Sequence, residues 1–134
     1  MEKAIELLNR EKSVKLAYLF GSAARDEMGK LSDVDIGVYL DESLSSDERF
    51  RFQLELMSRL ASALKTDKVD LVVVNDAPLL LNYNIIKYGK PIKFERQTKA
   101  KFEAGVLSKY LDRKYSIDRH TSLGIKRIAE RGFS

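Results

Sequence analysis

The 134-residue chain contains no cysteine, which excludes a disulfide framework and every thiolate metal site. Long apolar runs are missing as well. Leu71-Val72-Val73-Val74 and Leu79-Leu80-Leu81 are far too short to span a bilayer. The N-terminus, Met-Glu-Lys-Ala-Ile-Glu, is charged and amphipathic and lacks the apolar core of a secretory signal. These absences predict a cytoplasmic chain without a membrane segment. Histidine is nearly absent too: His120 stands alone, with no serine or cysteine motif beside it, and reads as an ordinary surface residue.

What remains is an ordinary globular composition, 44% hydrophobic and 33% charged, at a length that fits one domain with a real core. The net charge of +4 is unevenly spread. Residues 1–96 hold 15 Lys/Arg against 16 Asp/Glu, whereas residues 97–134 hold 9 against 4. A basic C-terminal segment suits an acidic protein face or nucleic acid, although plain solvated helices often carry such an excess.

Periodicity predicts an order of elements. Ile5, Leu7 and Leu8 mark a short amphipathic helix over 3–12, and Val14–Phe20 is an apolar strand. Ser22 to about Met28 reads as a short helix with Gly21 as its turn, and 29–32 as a loop. Val34–Leu40 is a buried strand. Ser45-x-x-Glu48 is a capping box ahead of a helix over 46–65, whose expected core stripe is Phe50, Leu54, Met57, Ala61 and Leu64. Val69–Val74 is a third strand, Pro78 sits near N1 of a helix ending at Gly89, and Pro91–Phe94 is a short edge strand. Phe102, Val106, Tyr110 and Leu111 give a further helix over 97–115, followed by a last helix broken or kinked near Gly124. This is an α/β (α+β) domain, a small mixed sheet flanked by helices. Residues 1–116 form the domain, and 117–134 a basic helical tail suited to binding a partner.

Two motifs carry chemistry. Gly21-Ser22 follows the first strand, where glycine lets a phosphate approach the backbone and the next helix offers unpaired N–H groups. Arg25, one turn on, is within reach of a triphosphate. Ten residues later, Asp33-Val34-Asp35 places two carboxylates on one face at the mouth of the second strand. Mg²⁺ takes oxygen ligands and fills its shell with water and substrate phosphate, so this pair suits one ion or a pair of ions. Asp70, an acid in an otherwise apolar strand, is costly unless paired or ligating; a metal role fits better than pairing with Lys68. Each motif alone is common by chance, but both at strand mouths within about twenty residues are not.

Gly21-Ser22, the ten-residue gap and Asp33-Val34-Asp35 resemble the signature of the DNA polymerase β-type nucleotidyltransferase superfamily. Leu19–Arg25, Val69–Ala77, Leu79-Leu80-Leu81 and Gly89-Lys90-Pro91-Ile92 extend the likeness over about residues 14–112. The small size points to the minimal (MNT) branch and, within it, to MntA-like antitoxins of HEPN/MNT toxin–antitoxin pairs. The resemblance implies that Asp33 and Asp35 bind two Mg²⁺ ions, and that Asp70 ligates the catalytic ion and helps to deprotonate the acceptor. It also implies that Gly21 and Ser22 hold the β- and γ-phosphates of ATP with help from Arg25. Many relatives have glycine after that arginine; Asp26 stands there instead and weakens the case for Arg25.

The implied activity is Mg²⁺-dependent transfer of AMP from ATP to a tyrosine hydroxyl of a HEPN ribonuclease toxin, in a homo- or hetero-oligomer. Two alternatives stay open: an antitoxin acting by contact through its basic tail, and modification of a small molecule such as an aminoglycoside. The second is disfavoured because 134 residues leave little room for an acceptor domain. A nucleic-acid acceptor is disfavoured because beyond Tyr115 the tail offers only Phe133 as an aromatic.

Overall fold

A computed structural model describes residues 2–21 and 34–130, with 116–130 described by backbone alone. The elements are α1 (Glu2–Arg10), β1 (Val14–Phe20), β2 (Val34–Leu40), α2 (Ser46–Leu64), β3 (Val69–Val73), α3 (Leu79–Tyr88), β4 (Lys90–Phe94) and α4 (Arg96–Glu130). The strands form one mixed sheet in the order β3-β2-β1-β4. β1 runs antiparallel to both β2 and β4, while β3 runs parallel to β2 across the α2 connection. The helix and loop expected over 22–32 lie outside the described residues.

The strands form where β-branched and aromatic residues alternate between two buried faces. On one face Ala17, Leu19, Ile36, Val38 and Leu71 pack with Leu8 of α1 and with Leu56 and Leu60 of α2. On the other, Leu16 and Tyr18 pack with Val74 and with Ile85 of α3. α3 comes close because residue 37 is glycine: a Cβ there would stand 3.2 Å from Val74 Cγ1 and 3.3 Å from Ile85 Cδ1. Tyr18 ties α4 to the sheet by donating to Glu103 Oε2 at 2.7 Å.

α2 starts at the expected capping box. Ser45 Oγ accepts from the Glu48 N–H at 3.2 Å, and Glu48 Oε1 accepts from the Ser45 N–H at 3.0 Å. It ends at Lys65 in the left-handed conformation, φ 55°.

Three expectations need correction. The fully buried residues of α2 are Leu56 and Leu60, and Phe50 and Leu54 are 60% and 52% exposed, while Met57, Ala61 and Leu64 of the expected stripe do pack, partly buried, against the core. On α4, Val106 is buried but Leu111 faces solvent. Finally, α4 runs from Arg96 to Glu130 without a break at Gly124, since a lone glycine weakens a helix without ending it. Residue 116 therefore falls inside α4. Pro78 is the N-cap of α3, next to N1 as expected.

Candidate active site

The end of β1 and the starts of β2 and β3 meet at one end of the sheet. There Asp35 pairs in register with Phe20 on one side and with Asp70 on the other. Register partners in a sheet share a face and sit about 4.8 Å apart, so the two carboxylates rise side by side. That face is the one carrying Tyr18 and Gly37, register partners one step further along the strands.

Gly21 completes the arrangement. Its φ is +73°, the left-handed region that residues with a Cβ rarely adopt. A Cβ at this position would lie 3.2 Å from Asp35 Cγ, and closer still to the carboxylate Oδ2. The Asp35 carboxylate therefore lies against the turn that follows β1. Asp35 is half-buried and Asp70 is exposed.

Ser22, Arg25 and Asp33 lie outside the described residues, so the structure places Gly21, Asp35 and Asp70 together and says nothing of the other three. Among the described residues no group of three or more acidic or histidine side chains converges, and the expected triad includes Asp33. The side chain of His120 is likewise outside the description.

Two adjacent carboxylates on one face bring like charges together. A divalent cation relieves that repulsion, and hard carboxylate oxygens suit Mg²⁺. The donor set thus fits the metal expected from the sequence.

Beside Asp70 lies a groove of about 340 Å³, lined by Phe50 and Gln53 of α2, by Val72, and by Pro78 and Leu81 at the start of α3. β3 is an edge strand, and Gln53 Nε2 covers its outward Leu71 carbonyl at 2.6 Å. Arg49 braces the groove by a two-pronged contact with Asp76, Nε to Oδ2 at 2.8 Å and Nη2 to Oδ1 at 2.9 Å. Sequence reading missed this groove because Phe50 looked like core. Its only signal was the position of Asp70 on an edge.

The acidic residues flanking the start of α2 serve the loop and the helix cap. The Asp41 carboxylate accepts from the Ser43 N–H at 3.0 Å, which holds its pKa below the usual range. The hydrogen bond from the Ser45 N–H does the same for Glu48. For Tyr39, burial and its hydrogen bond to Glu42 push the pKa up to about 12. Burial and the bond to Glu103 raise Tyr18 further. Tyr83 and Tyr110 stack between α3 and α4 at 3.7 Å and 6°, while Tyr88 and Tyr115 face solvent.

A family model described as "Polymerase beta, Nucleotidyltransferase" matches residues 2–98. No curated protein sequence matches the chain. Among solved structures, the chain resembles one from a toxin–antitoxin complex with AMP-PNP, at 30% identity and a TM-score of 0.70 over 90% of this chain and 97% of that one. It also resembles one from a Shewanella oneidensis complex of a tri-AMPylated HEPN toxin with an MNT antitoxin. That likeness is 30% identical with a TM-score of 0.63, over 90% of this chain and 94% of the other. A third is from an MntA–HepT toxin–antitoxin complex, again at 30% identity and a TM-score of 0.63, over 90% and 95%. The polymerase β-like fold expected from the sequence is the fold observed.

Proposed function

Because the chain belongs to the polymerase β nucleotidyltransferase family, we propose that it is an antitoxin that transfers AMP from ATP to a tyrosine hydroxyl of a HEPN-type toxin. The observation that carries this reading is the convergence of Gly21, Asp35 and Asp70 at one end of the sheet. The solved relatives, which include a complex with AMP-PNP and a tri-AMPylated toxin, supply the donor and the acceptor class.

In the proposed reaction the acceptor oxygen attacks the α-phosphorus in line. The bond to the bridging oxygen breaks, pyrophosphate leaves, and the acceptor proton passes towards Asp70. The Gly21 turn lets the triphosphate approach the backbone, with Ser22 and Arg25 assigned to its β- and γ-phosphates. Asp33, Asp35 and Asp70 are assigned to hold Mg²⁺, which when bound neutralises charge on the entering and leaving oxygens. Asp70 borders the groove at the β3 edge, so the acceptor side chain is assigned to that groove.

α4 is assigned to partner contact. Leu107, Leu111 and Tyr115 recur every fourth residue along it and are 42%, 59% and 67% exposed. The basic segment 117–134 extends the same helix to Glu130 and favours an acidic partner face. Among the described residues no helix is long and apolar enough to cross a membrane, and a cytoplasmic setting is part of this reading.

The test uses ATP labelled at either the α- or the γ-phosphate, with Mg²⁺ and the cognate toxin. Label from the α-position should enter the toxin while γ-label leaves as pyrophosphate. The reverse pattern means phosphoryl rather than nucleotidyl transfer and defeats the proposal.

A further inference from the structure

α2 and α3 pack on opposite faces of the sheet. Their N-terminal turns come together past the outer edge of β3, and the groove of about 340 Å³ lies between them. Gln53 holds α2 to that edge, because its Nε2 donates to the Leu71 carbonyl at 2.6 Å. Phe50 stands one turn earlier on the same face of α2 and lines the groove. Pro78 and Leu81 of α3 line it as well.

The fold does not need Phe50 in its core. The buried residues of α2 are Leu56 and Leu60, and Phe50 is 60% exposed. Leu54, one turn on along the same stripe, is 52% exposed, so the two make an apolar patch rather than a single stray side chain. That patch borders the groove that holds a reacting carboxylate, Asp70.

The charges in the groove narrow the choice of occupant. Arg49 and Asp76 are spent on each other through two hydrogen bonds, and Arg49 Nη1 donates to the Leu44 carbonyl at 2.6 Å. Among the charged side chains of the described lining, that leaves Asp70 to meet an incoming group. The volume is at the low end for a ligand site and suits one ring rather than a folded segment. A group that is flat and apolar along its length, with a hydroxyl at its tip, covers Phe50 on one side and Pro78 and Leu81 on the other. A tyrosine side chain has that form. A serine or threonine whose hydroxyl reached Asp70 would leave both apolar walls in water.

We propose that Phe50 selects and orients an aromatic acceptor: the acceptor ring lies on the Phe50 ring, which aims the phenolic oxygen past Asp70. Aromatic pairs favour offset or edge-to-face contact with ring centres about 4.5–7 Å apart, so a ring seated here has few orientations. The assignment rests on the transferase reading and adds to it a residue that makes the site choose a phenol. The bonds made and broken are those of the transfer itself. The acceptor oxygen joins the α-phosphorus, pyrophosphate leaves, the proton passes towards Asp70, and Phe50 contributes orientation alone.

Single-turnover transfer from α-labelled ATP, measured in the preformed complex of chain and HEPN-type toxin with Mg²⁺, tests it. Phe50→Ala should slow transfer at least tenfold, as misplacing a reacting group does. Its affinity for the toxin, its dependence on ATP concentration and its thermal unfolding should match the wild type. Phe50→Tyr keeps the ring and should stay within about twofold of the wild-type rate. Equal rates in wild type and Phe50→Ala overturn the assignment and leave the transferase standing. So does a loss that Phe50→Tyr does not restore, or one explained wholly by weaker binding of toxin or ATP. No transfer by the wild type overturns the transferase reading and this assignment with it.

Discussion

The Asp35 carboxylate occupies the space that a side chain at Gly21 would need, with Asp35 Cγ 3.2 Å from where a Cβ would stand. One residue thus fixes where the carboxylate lies and, in the proposed function, how closely a phosphate can approach the backbone. Gly21→Ala forces either the left-handed turn or Asp35 to move. Displacement by about 1 Å in a reacting assembly costs roughly a hundredfold in rate. Labelled-transfer assays should show that loss with the fold retained, and full activity in Gly21→Ala contradicts the close approach described here.

Asp35 and Asp70 are register partners, yet their assigned roles differ. Asp35→Asn should lower transfer by roughly a thousandfold, the several kcal/mol expected when charge stabilisation at a metal site is lost. Asp70→Asn should lower it as well, and should also flatten the rise in rate with pH that reports acceptor deprotonation. Rate profiles of the two variants against pH separate the roles. Identical profile shapes argue that Asp70 serves only as a ligand.

The core of α2 offers a stability test. Leu60 is fully buried while Leu54 is half-exposed. Leu60→Ala should cost about 2–5 kcal/mol. Leu54→Ala should stay within about 0.5 kcal/mol. Urea melts of the two variants check this, and equal losses would restore the stripe expected from the sequence. Ser45→Ala, which removes the cap, should cost about 1 kcal/mol.

Two tyrosines resist ionisation. Tyr39 is pushed up to about 12, and Tyr18 is raised further still by burial and Glu103. For a group whose folded pKa is raised, the stabilisation is fully present below the unfolded value near 10. It is lost as pH climbs through the folded value. Absorbance titration should therefore leave Tyr18 and Tyr39 largely un-ionised at pH 11, with their release coinciding with alkaline unfolding. Conversely, Asp41 and Glu48 are held low, so the support they give is present above the ordinary carboxylate range and fades as pH falls below it.

Much of this fold was legible because its strands are short, β-branched and punctuated. Val14–Phe20, Val34–Leu40 and the edge strand with Pro91 declare themselves, and Ser45-x-x-Glu48 announces α2. The face of α2 was legible only in part: Met57, Ala61 and Leu64 pack on the core as expected, but Phe50/Leu54 and Leu56/Leu60 recur with the same spacing and only the sheet decides which pair is buried. The adjacency of Asp35 and Asp70 follows from a parallel register that pattern alone does not set. Neither the groove beside Asp70 nor the Asn82 oxygen left without a partner among the described residues has a local signal. Both exist only once α2, α3 and α4 have packed on the sheet.

The central claim is that this chain modifies a toxin through the carboxylates at the mouths of β2 and β3. The most direct measurement incubates the chain with ATP, Mg²⁺ and its HEPN-type toxin, then reads the toxin by intact-protein mass spectrometry. The account predicts adenylylated toxin with the wild-type chain and unmodified toxin with Asp35→Asn. Equal modification by both, or neutralisation of the toxin by wild type without any mass change, contradicts it.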